Sequence, residues 1–485
     1  MRALLSRPGL GLALLLALSP LAQADPIAWR ECRLPRTPSA AQCATLQLPA
    51  AEGGQTTLPI HIARLPALAR HPKPDPVFLL AGGPGQAASD LGPVASVLER
   101  LRNERDIVLI DQRGTGRSRT LRCGQPAQKE DPLRAALKGV DDLAAVDECL
   151  RGLSGDPRLH TTADYLRDLE AVRERLGYAQ INLWGGSYGT RVAQDYLGRH
   201  PERVRSLVLD GVAAPGLNLL TDLPVHAETA LRRLYADCDR DAACRAAFPD
   251  GWRTFQTLSD QLGRAPVEVK VAHPASGEMV EGRLTRSVFH GVLRSLLYLP
   301  ERAALIPQLV ESTRRGDYAP LLAAGLSVQQ GMDEDSLNPA LFLAVACAED
   351  WRPGLDGQAV HERAPLFGEL FDHLDHACRR MPHGRPSAVR ELKRGSQVPV
   401  LLLSGGLDPV TPPAQAEAVA RLLPRSRHVV ASGFGHIITP YRCVPRLVSD
   451  FIQRADPAAL SQRCIDQLAA TRRPPFYLSR LEARR

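Results

Sequence analysis

The chain has 485 residues, 44% of them hydrophobic, which is enough to bury a sizeable core in more than one domain. Its formal net charge is +7, a small excess for this length. No basic stripe is interleaved with aromatic residues, so the composition argues against a nucleic-acid-binding protein. The arginines between residues 472 and 485 are interpreted as a solvated tail.

The first 24 residues predict a secretory signal peptide. Arg2 and Arg7 precede an apolar stretch at residues 10–21, and an Ala-x-Ala pattern at residues 22–24 supplies a cleavage point. A retained membrane anchor is the competing interpretation, although the apolar stretch is short for a bilayer. We expect an exported protein, periplasmic or extracellular, that has a net charge of +5 after cleavage and no stable membrane association.

Ten cysteines, an even number, suit an oxidising compartment and predict disulfides. The sequence does not fix their connectivity, and pairing between nearest neighbours is the expectation that we adopt. Zinc binding is the alternative use of clustered cysteines, but the chain contains no CxxC motif. The neighbouring pairs are Cys32 with Cys43, Cys123 with Cys149, Cys238 with Cys244, Cys347 with Cys378, and Cys443 with Cys464.

Short β-like runs alternate with helical patterns at both ends of the chain. This alternation predicts an α/β fold with a mostly parallel sheet and helices on both faces. Several runs are continuously apolar, which is typical of strands buried on both faces. An apolar stripe predicts a helix at residues 162–176. The strand candidates are residues 58–63, 77–80, 107–110, 181–184, 207–209, 400–403 and 428–430.

The middle of the chain has a different pattern. Between residues 212 and 396 the β alternation nearly disappears, and Leu, Ala and Arg recur at helical spacing, with one possible hairpin at residues 267–282. We therefore expect a large, mainly helical cap inserted into an α/β core. The predicted division is signal peptide 1–24, first core part 25–211, cap 212–396 and second core part 397–485.

Ser187 lies in the pattern Gly-x-Ser-x-Gly, at the centre of residues 185–189. The apolar run at 181–184 leads into the pattern and a helix-like segment at 190–200 leads out of it. A sharp turn from strand to helix exposes the central serine, and small flanking residues let the backbone pass closely. The sequence predicts a nucleophilic serine here.

A serine hydroxyl needs an imidazole to accept its proton, and the imidazole needs a carboxylate to fix its tautomer. Asp408 follows the apolar run at 400–403, and His436 follows the run at 428–430. Taken singly, a turn aspartate before proline and an ordinary loop histidine are the better explanations of these residues. Their order along the chain, each after a strand, predicts a triad of Ser187, Asp408 and His436.

Acyl transfer also requires hydrogen-bond donors for the oxygen that becomes negative. The glycine-rich segment 82–85 follows an early strand, and we predict the amides of Gly83 and Tyr188 as the donors. A second glycine-containing loop, residues 111–118, lacks the lysine of a phosphate-binding loop. We interpret that loop as structural, with a buried aspartate and arginine bracing the site.

The motifs together resemble the α/β-hydrolase serine aminopeptidases, in particular the secreted proline iminopeptidases and tripeptidyl aminopeptidases. The resemblance covers nearly the whole mature chain and is more specific for fold and triad than for substrate. One departure is Ala81, where many proline iminopeptidases have histidine, which weakens an expectation of strict proline preference. The motifs are residues 82–85, 111–118, 185–190, 405–412 with Asp408, and 433–436 with His436.

The resemblance implies that residues are released from a free peptide N-terminus, whose ammonium is held by acidic cap residues. Glu349 and Asp350 are the candidates for this role, since a buried ammonium is costly unless a carboxylate pairs with it. A disulfide at Cys347 would hold them rigidly. The alternative is a solvated helix end.

The expected protein is an exported serine hydrolase that acts on peptides through an acyl-enzyme and needs no metal or organic cofactor. Two other functions are consistent with the sequence. The same triad would serve a carboxylic ester hydrolase whose cap presents an apolar pocket. A non-catalytic periplasmic binding protein that kept the fold is the remaining alternative.

Overall fold

The computed structural model describes residues 27–118, 121–124, 131–137, 142–331, 337–385, 392 and 395–478. The signal peptide predicted at residues 1–24 lies outside this part of the chain. No helix in the described ranges is long and apolar enough to cross a lipid bilayer.

Eleven strands form two sheets in the described part of the chain. The large sheet has nine strands in the order β1-β2-β3-β5-β4-β6-β7-β10-β11, and β8 and β9 form a separate hairpin. The strands are β1 (Arg30–Arg33), β2 (Ala40–Pro49), β3 (Thr57–Leu65), β4 (Val77–Leu80), β5 (Ile107–Ile110), β6 (Ile181–Gly186), β7 (Val204–Asp210), β8 (Val267–Ala272), β9 (Met279–Leu284), β10 (Val400–Gly405) and β11 (Ser426–Ala431).

The six strands from β5 to β11 in the sheet order are parallel, whereas β1, β2 and β3 form an antiparallel edge. All residues of β4, β5, β6 and β10 are buried, as expected for strands covered on both faces. Side chains alternate along β4: Phe78 and Leu80 enter one hydrophobic core and Val77 and Leu79 enter the other. The sheet therefore separates two cores.

Helices cover both faces of the sheet. The first core contains apolar residues of α4, α5 and α16, and the second contains those of α1, α17 and α18. The helices are α1 (Gly92–Val97), α2 (Pro132–Leu137), α3 (Asp142–Arg151), α4 (Thr162–Arg175), α5 (Tyr188–Arg199), α6 (Leu219–Arg240), α7 (Ala242–Ala247), α8 (Gly251–Arg264), α9 (Arg286–Leu296), α10 (Pro300–Ala303), α11 (Ile306–Arg314), α12 (Ala319–Gly331), α13 (Pro339–Glu349), α14 (Gly357–Arg363), α15 (Glu369–Cys378), α16 (Pro413–Ala420), α17 (Val444–Arg454) and α18 (Gln462–Ala469).

The predicted α/β class, with its helical insertion, is confirmed. All seven strand candidates are strands, and the observed elements extend several of them by one to three residues at an end. The helix predicted at 162–176 is α4, which begins with a capping box between Thr161 and Asp164. The antiparallel strands β1 and β2 were not predicted. Three of the four residues of β1 are exposed, so this strand shows no apolar alternation. Strand β2 mixes buried, half-buried and exposed residues.

In the described residues between β7 and β10, ten helices, α6 to α15, and the β8–β9 hairpin form the cap. The hairpin matches the one expected at residues 267–282. The cap has its own hydrophobic core, which includes Leu133 and Leu137 of α2. Helix α2 precedes the insertion in sequence. The hydrophobic core of the cap therefore includes a segment that we predicted to belong to the α/β core, within residues 25–211.

All ten cysteines form disulfides between nearest neighbours in sequence, as expected. Two bridges lie within the cap, between Cys238 and Cys244 and between Cys347 and Cys378. The latter links the end of α13 to the end of α15.

The loop at residues 111–118 has the structural role that the sequence indicated. Arg113 is fully buried, and its guanidinium donates to both carboxylate oxygens of Asp168 on α4, at 2.7 and 2.8 Å. It also donates to the carbonyl oxygens of Ala50 and Leu159, at 2.7 and 3.0 Å. This one side chain joins the antiparallel edge, the loop and α4.

We predict that Arg113→Ala lowers the free energy of unfolding by about 3–5 kcal/mol, because it leaves the buried Asp168 carboxylate without its cation. Urea denaturation followed by circular dichroism measures the change. Lys73→Ala is the control, since the Lys73–Glu104 pair is exposed and should contribute no more than about 1 kcal/mol. Equal effects of the two substitutions would contradict the bracing role of Arg113.

Candidate active site

Three predicted site residues follow three strands of the parallel part of the sheet. Ser187 follows β6, Asp408 lies in the loop after β10, and His436 lies in the loop after β11. Strands β6, β7, β10 and β11 are consecutive neighbours and run parallel. Their carboxyl ends therefore lie at one edge of the sheet, where open α/β sheets place their sites.

Ser187 has the strained backbone of a nucleophile elbow. Its φ and ψ are 55° and −122°, a conformation that non-glycine residues rarely adopt, and its side chain is only half-buried. A Cβ atom on Gly185 would lie 2.4 Å from the carbonyl oxygen of Gly189. A Cβ atom on Gly189 would lie 2.3 Å from that of Leu80. Glycine is required at both positions because the elbow crosses other backbone so closely.

His436 and Asp408 form a buried, directional pair. The Nδ1 atom of His436 lies 2.8 Å from Oδ2 of Asp408. The carboxylate also accepts the amides of Val410 and Thr411, at 2.8 and 2.9 Å, and the Thr411 hydroxyl at 2.9 Å. With Nδ1–H donating to Asp408, Nε2 is the nitrogen that can accept a proton.

The surroundings of His436 favour its protonated form. Burial of the ring lowers the pKa of His436, but the charge and hydrogen bond of Asp408 outweigh that effect. The negative charge of Asp210 acts in the same direction as Asp408, and the pKa of His436 ends above its usual 6.5. An imidazole with a raised pKa is a stronger base when it is neutral.

Ser187 and His436 both contact the dipeptide Asp210-Gly211 at the end of β7. The Ser187 amide donates to the Asp210 carbonyl oxygen at 2.9 Å. A Cβ atom on Gly211 would lie 2.9 Å from Cε1 of His436. The dipeptide therefore connects the elbow to the histidine.

The two predicted oxyanion donors flank the elbow. Tyr188 is the first residue of α5, so its amide has no partner within the helix. Gly83 has φ of 104°, and a Cβ atom on it would lie 2.7 Å from the Gly85 amide nitrogen. A Cβ atom on the preceding Gly82 would lie 3.1 Å from Cβ of Ser187, which brings the loop to the serine. Their role as donors stays a prediction.

The cap touches both sides of this arrangement. Asn338, before α13, donates its amide to the carbonyl oxygen of Gly85 at 2.9 Å. Tyr298 follows α9, and its carbonyl oxygen accepts a hydrogen bond from the His436 amide at 3.1 Å. The phenol ring of Tyr298 packs edge-on against the imidazole of His436. The cap thus directly contacts the glycine-rich loop at residues 82–85 and the histidine.

Glu349 and Asp350 are buried against Arg191 of α5. The Arg191 guanidinium donates to Asp350 at 3.0 Å and lies 3.7 Å from Glu349, which also accepts the Thr162 amide at 2.7 Å. Burial raises the pKa of Glu349 although Arg191 opposes that effect. The acids are not a solvated helix end. They brace the cap against α4 and α5, and no contact of the described residues supports the ammonium-binding role, which stays a prediction.

Sequence reasoning missed three residues that shape the site: Asp210, Arg191 and Thr411. Asp210 ends an apolar strand, the same signal that identified Asp408, and could have been found in this way. Thr411 stands three residues after Asp408, a spacing typical of an aspartate-capped turn. Arg191 carries no local signal, because its partners are remote in sequence. No group of three His, Cys, Asp or Glu side chains within the described ranges is arranged to hold a metal ion.

We predict that Gly189→Ala abolishes activity and destabilises the fold, because its methyl group would overlap the backbone of Leu80. Gly216→Ala is the matched control, since a Cβ atom there meets nothing within 4 Å. Thermal unfolding and reaction with a fluorophosphonate probe measure both effects. A Gly189→Ala protein that folds and reacts normally would show that the elbow is looser than described.

Comparison with known proteins agrees with this geometry. The α/β hydrolase fold family matches residues 75–247, and the TAP-like protein family matches residues 364–464. The serine protease Hip1 of Mycobacterium tuberculosis is 28% identical over 435 residues, which cover 80% of this chain and 81% of that protein.

Two further relatives are peptidases by name. The tripeptidyl aminopeptidase of Streptomyces lividans is 25% identical over 337 residues, covering 63% of this chain and 60% of its own length. The proline iminopeptidase of Neisseria meningitidis is 34% identical over 137 residues, covering 28% of this chain and 32% of its own length. The chain is a serine hydrolase with the α/β hydrolase fold, and it is similar to the serine peptidases that share this fold.

Proposed function

We propose that the protein is an exported serine aminopeptidase of the proline iminopeptidase or tripeptidyl type. The observation that carries this proposal is the 2.8 Å contact from His436 to Asp408 beside a serine held at φ of 55°. The predicted leader and the five disulfides support export. The names of the relatives support action at a free peptide N-terminus.

The first half of the reaction forms an acyl-enzyme. Nε2 of His436 takes the proton of the Ser187 hydroxyl as Oγ attacks the carbonyl carbon of the scissile peptide bond. Asp408 holds the imidazole by Nδ1 and stabilises its positive charge. The amides of Gly83 and Tyr188 donate to the oxygen that becomes negative. The imidazolium of His436 then gives its proton to the leaving amine, and the C–N bond breaks, which leaves the acyl-enzyme.

The second half of the reaction releases the N-terminal fragment. Water then enters, His436 takes one of its protons, and the resulting hydroxide attacks the acyl carbon. Ser187 leaves with the proton that His436 returns, and the fragment departs with a free carboxylate.

We predict that aminoacyl or tripeptidyl arylamides with a free amine are cleaved, whereas their N-acetyl forms are cleaved much more slowly. Ser187→Ala should lower kcat by roughly 10⁴-fold or more, because the nucleophile is lost. Release of the arylamine measures both. Short acyl esters form a third arm of the assay.

Two outcomes would contradict this proposal. Equal or faster turnover of the blocked substrates, or of the esters, would replace the aminopeptidase with an ester hydrolase or an endopeptidase. Failure of the wild-type protein to react with a fluorophosphonate would favour a non-catalytic binding protein. Digestion of a peptide library, read by mass spectrometry, reports the length of the released fragment.

We predict that kcat/KM rises with pH through a midpoint above 6.5, because His436 acts as a base only when neutral and its pKa is raised. Asp408→Asn should move that midpoint to lower pH, since it removes the charge that stabilises the imidazolium. It should also lower kcat by roughly 10⁴-fold through the wrong tautomer. A midpoint that is the same in both proteins would exclude Asp408 as the partner of the base.

A further inference from the structure

Asp210 is a buried carboxylate that the reaction described above does not use. It is the last residue of β7 and is fully buried. Strand β7 lies between β6, which Ser187 follows, and β10, whose following loop contains Asp408. Asp210 therefore stands between the strands that present the nucleophile and the acid.

The backbone of Asp210 holds the nucleophile elbow and its side chain holds the histidine loop. Its carbonyl oxygen accepts the Ser187 amide at 2.9 Å. Its carboxylate accepts the Ile438 amide at 2.9 and 3.1 Å and the Thr439 amide at 2.7 Å. These two amides come two and three residues after His436.

The loop after His436 needs such an anchor. Ile437 has φ of 67°, in the left-handed region that disfavours β-branched residues, so the loop does not hold this shape by local preference. The Thr439 hydroxyl also accepts the indole N–H of Trp184 on β6, at 3.0 Å. The histidine loop is thus fastened to the two strands nearest the elbow.

Burial raises the pKa of the Asp210 carboxyl, but hydrogen bonds from Thr439 and Ile438 and the charge of His436 oppose that effect and favour the ionised form. All its hydrogen-bond partners are donors, and an ionised carboxylate is an acceptor only. No Lys or Arg side chain in the described part of the chain forms an ion pair with it. The positive charge that develops on His436 is the one its charge can stabilise.

We propose that Asp210 is a positioning residue, which fixes His436 relative to Ser187 and whose negative charge favours the imidazolium. The proposal rests on the assignment of Ser187 and His436 as nucleophile and base. It assigns a second carboxylate to the histidine, one that acts through the loop backbone and through space, whereas Asp408 acts by direct contact.

The pH dependence of the site involves few other groups. His436 faces Asp408 by contact, Asp210 through space, and the phenol ring of Tyr298 from the cap. Asp210 in turn faces His436 and lies near Tyr441. The Tyr441 phenol is neutral across the pH range of the test because burial raises its pKa above 10.

The test is Asp210→Asn, which keeps the size of the side chain and one oxygen acceptor but removes the charge. We expect kcat to fall by roughly 10²-fold with KM little changed, because Asp210 does not touch the substrate. We also expect the acid limb of kcat/KM, and of fluorophosphonate labelling, to move to lower pH. Rates are counted per folded protein, measured by circular dichroism, and Asp210→Ser is the second neutral variant.

Asp168→Asn is the matched control. It alters a buried carboxylate whose partner is Arg113, so it should destabilise the protein without moving the acid limb. An Asp210→Asn protein with the same limb and rate per folded molecule as the wild type, or as Asp168→Asn, overturns the positioning role. Failure of both Asp210 variants to fold also overturns it and assigns the residue to the core. A wild-type protein that does not label overturns the triad itself, and this inference with it.

Discussion

Parallel strands whose carboxyl ends lie at one edge are the constraint on which the rest of the site depends. The chain contributes Ser187, Asp408 and His436 from segments up to about 250 residues apart, and only the adjacency of β6, β7, β10 and β11 brings those segments together. A hydrophobic core on each face keeps the sheet rigid, so the loops that contain the three residues begin at fixed positions. The backbone of Ser187 keeps its strained conformation because the surrounding structure holds it there.

Much of the fold was predictable because its signals are local. Fully buried strands appear as continuous apolar runs, and β4 and β5 begin and end where their runs do. The candidate triad was recognisable for the same reason, since each member follows such a run. Strands β1 and β2 gave no comparable signal, because β1 is mostly exposed and β2 mixes buried and exposed residues instead of forming a continuous apolar run.

Contacts between remote segments were not predictable. The sequence suggested that the acids at 349 and 350 are available to a ligand, but Arg191, more than 150 residues earlier, already lies against both of them. Likewise, nothing in the sequence near Tyr298 or Asn338 indicates that the cap contacts the histidine and the glycine-rich loop at residues 82–85. A cap that carries part of the site's framework cannot vary independently of the core beneath it.

The connectivity of the disulfides has a consequence for how the chain matures. Each cysteine is bonded to an immediate neighbour in the cysteine order, so no bridge encloses another and none joins the cap to the core. When the chain emerges with its N-terminus first, the next cysteine to appear after an unpaired one is always its native partner. Oxidation of the thiols in order of emergence would therefore give the native pattern without reshuffling.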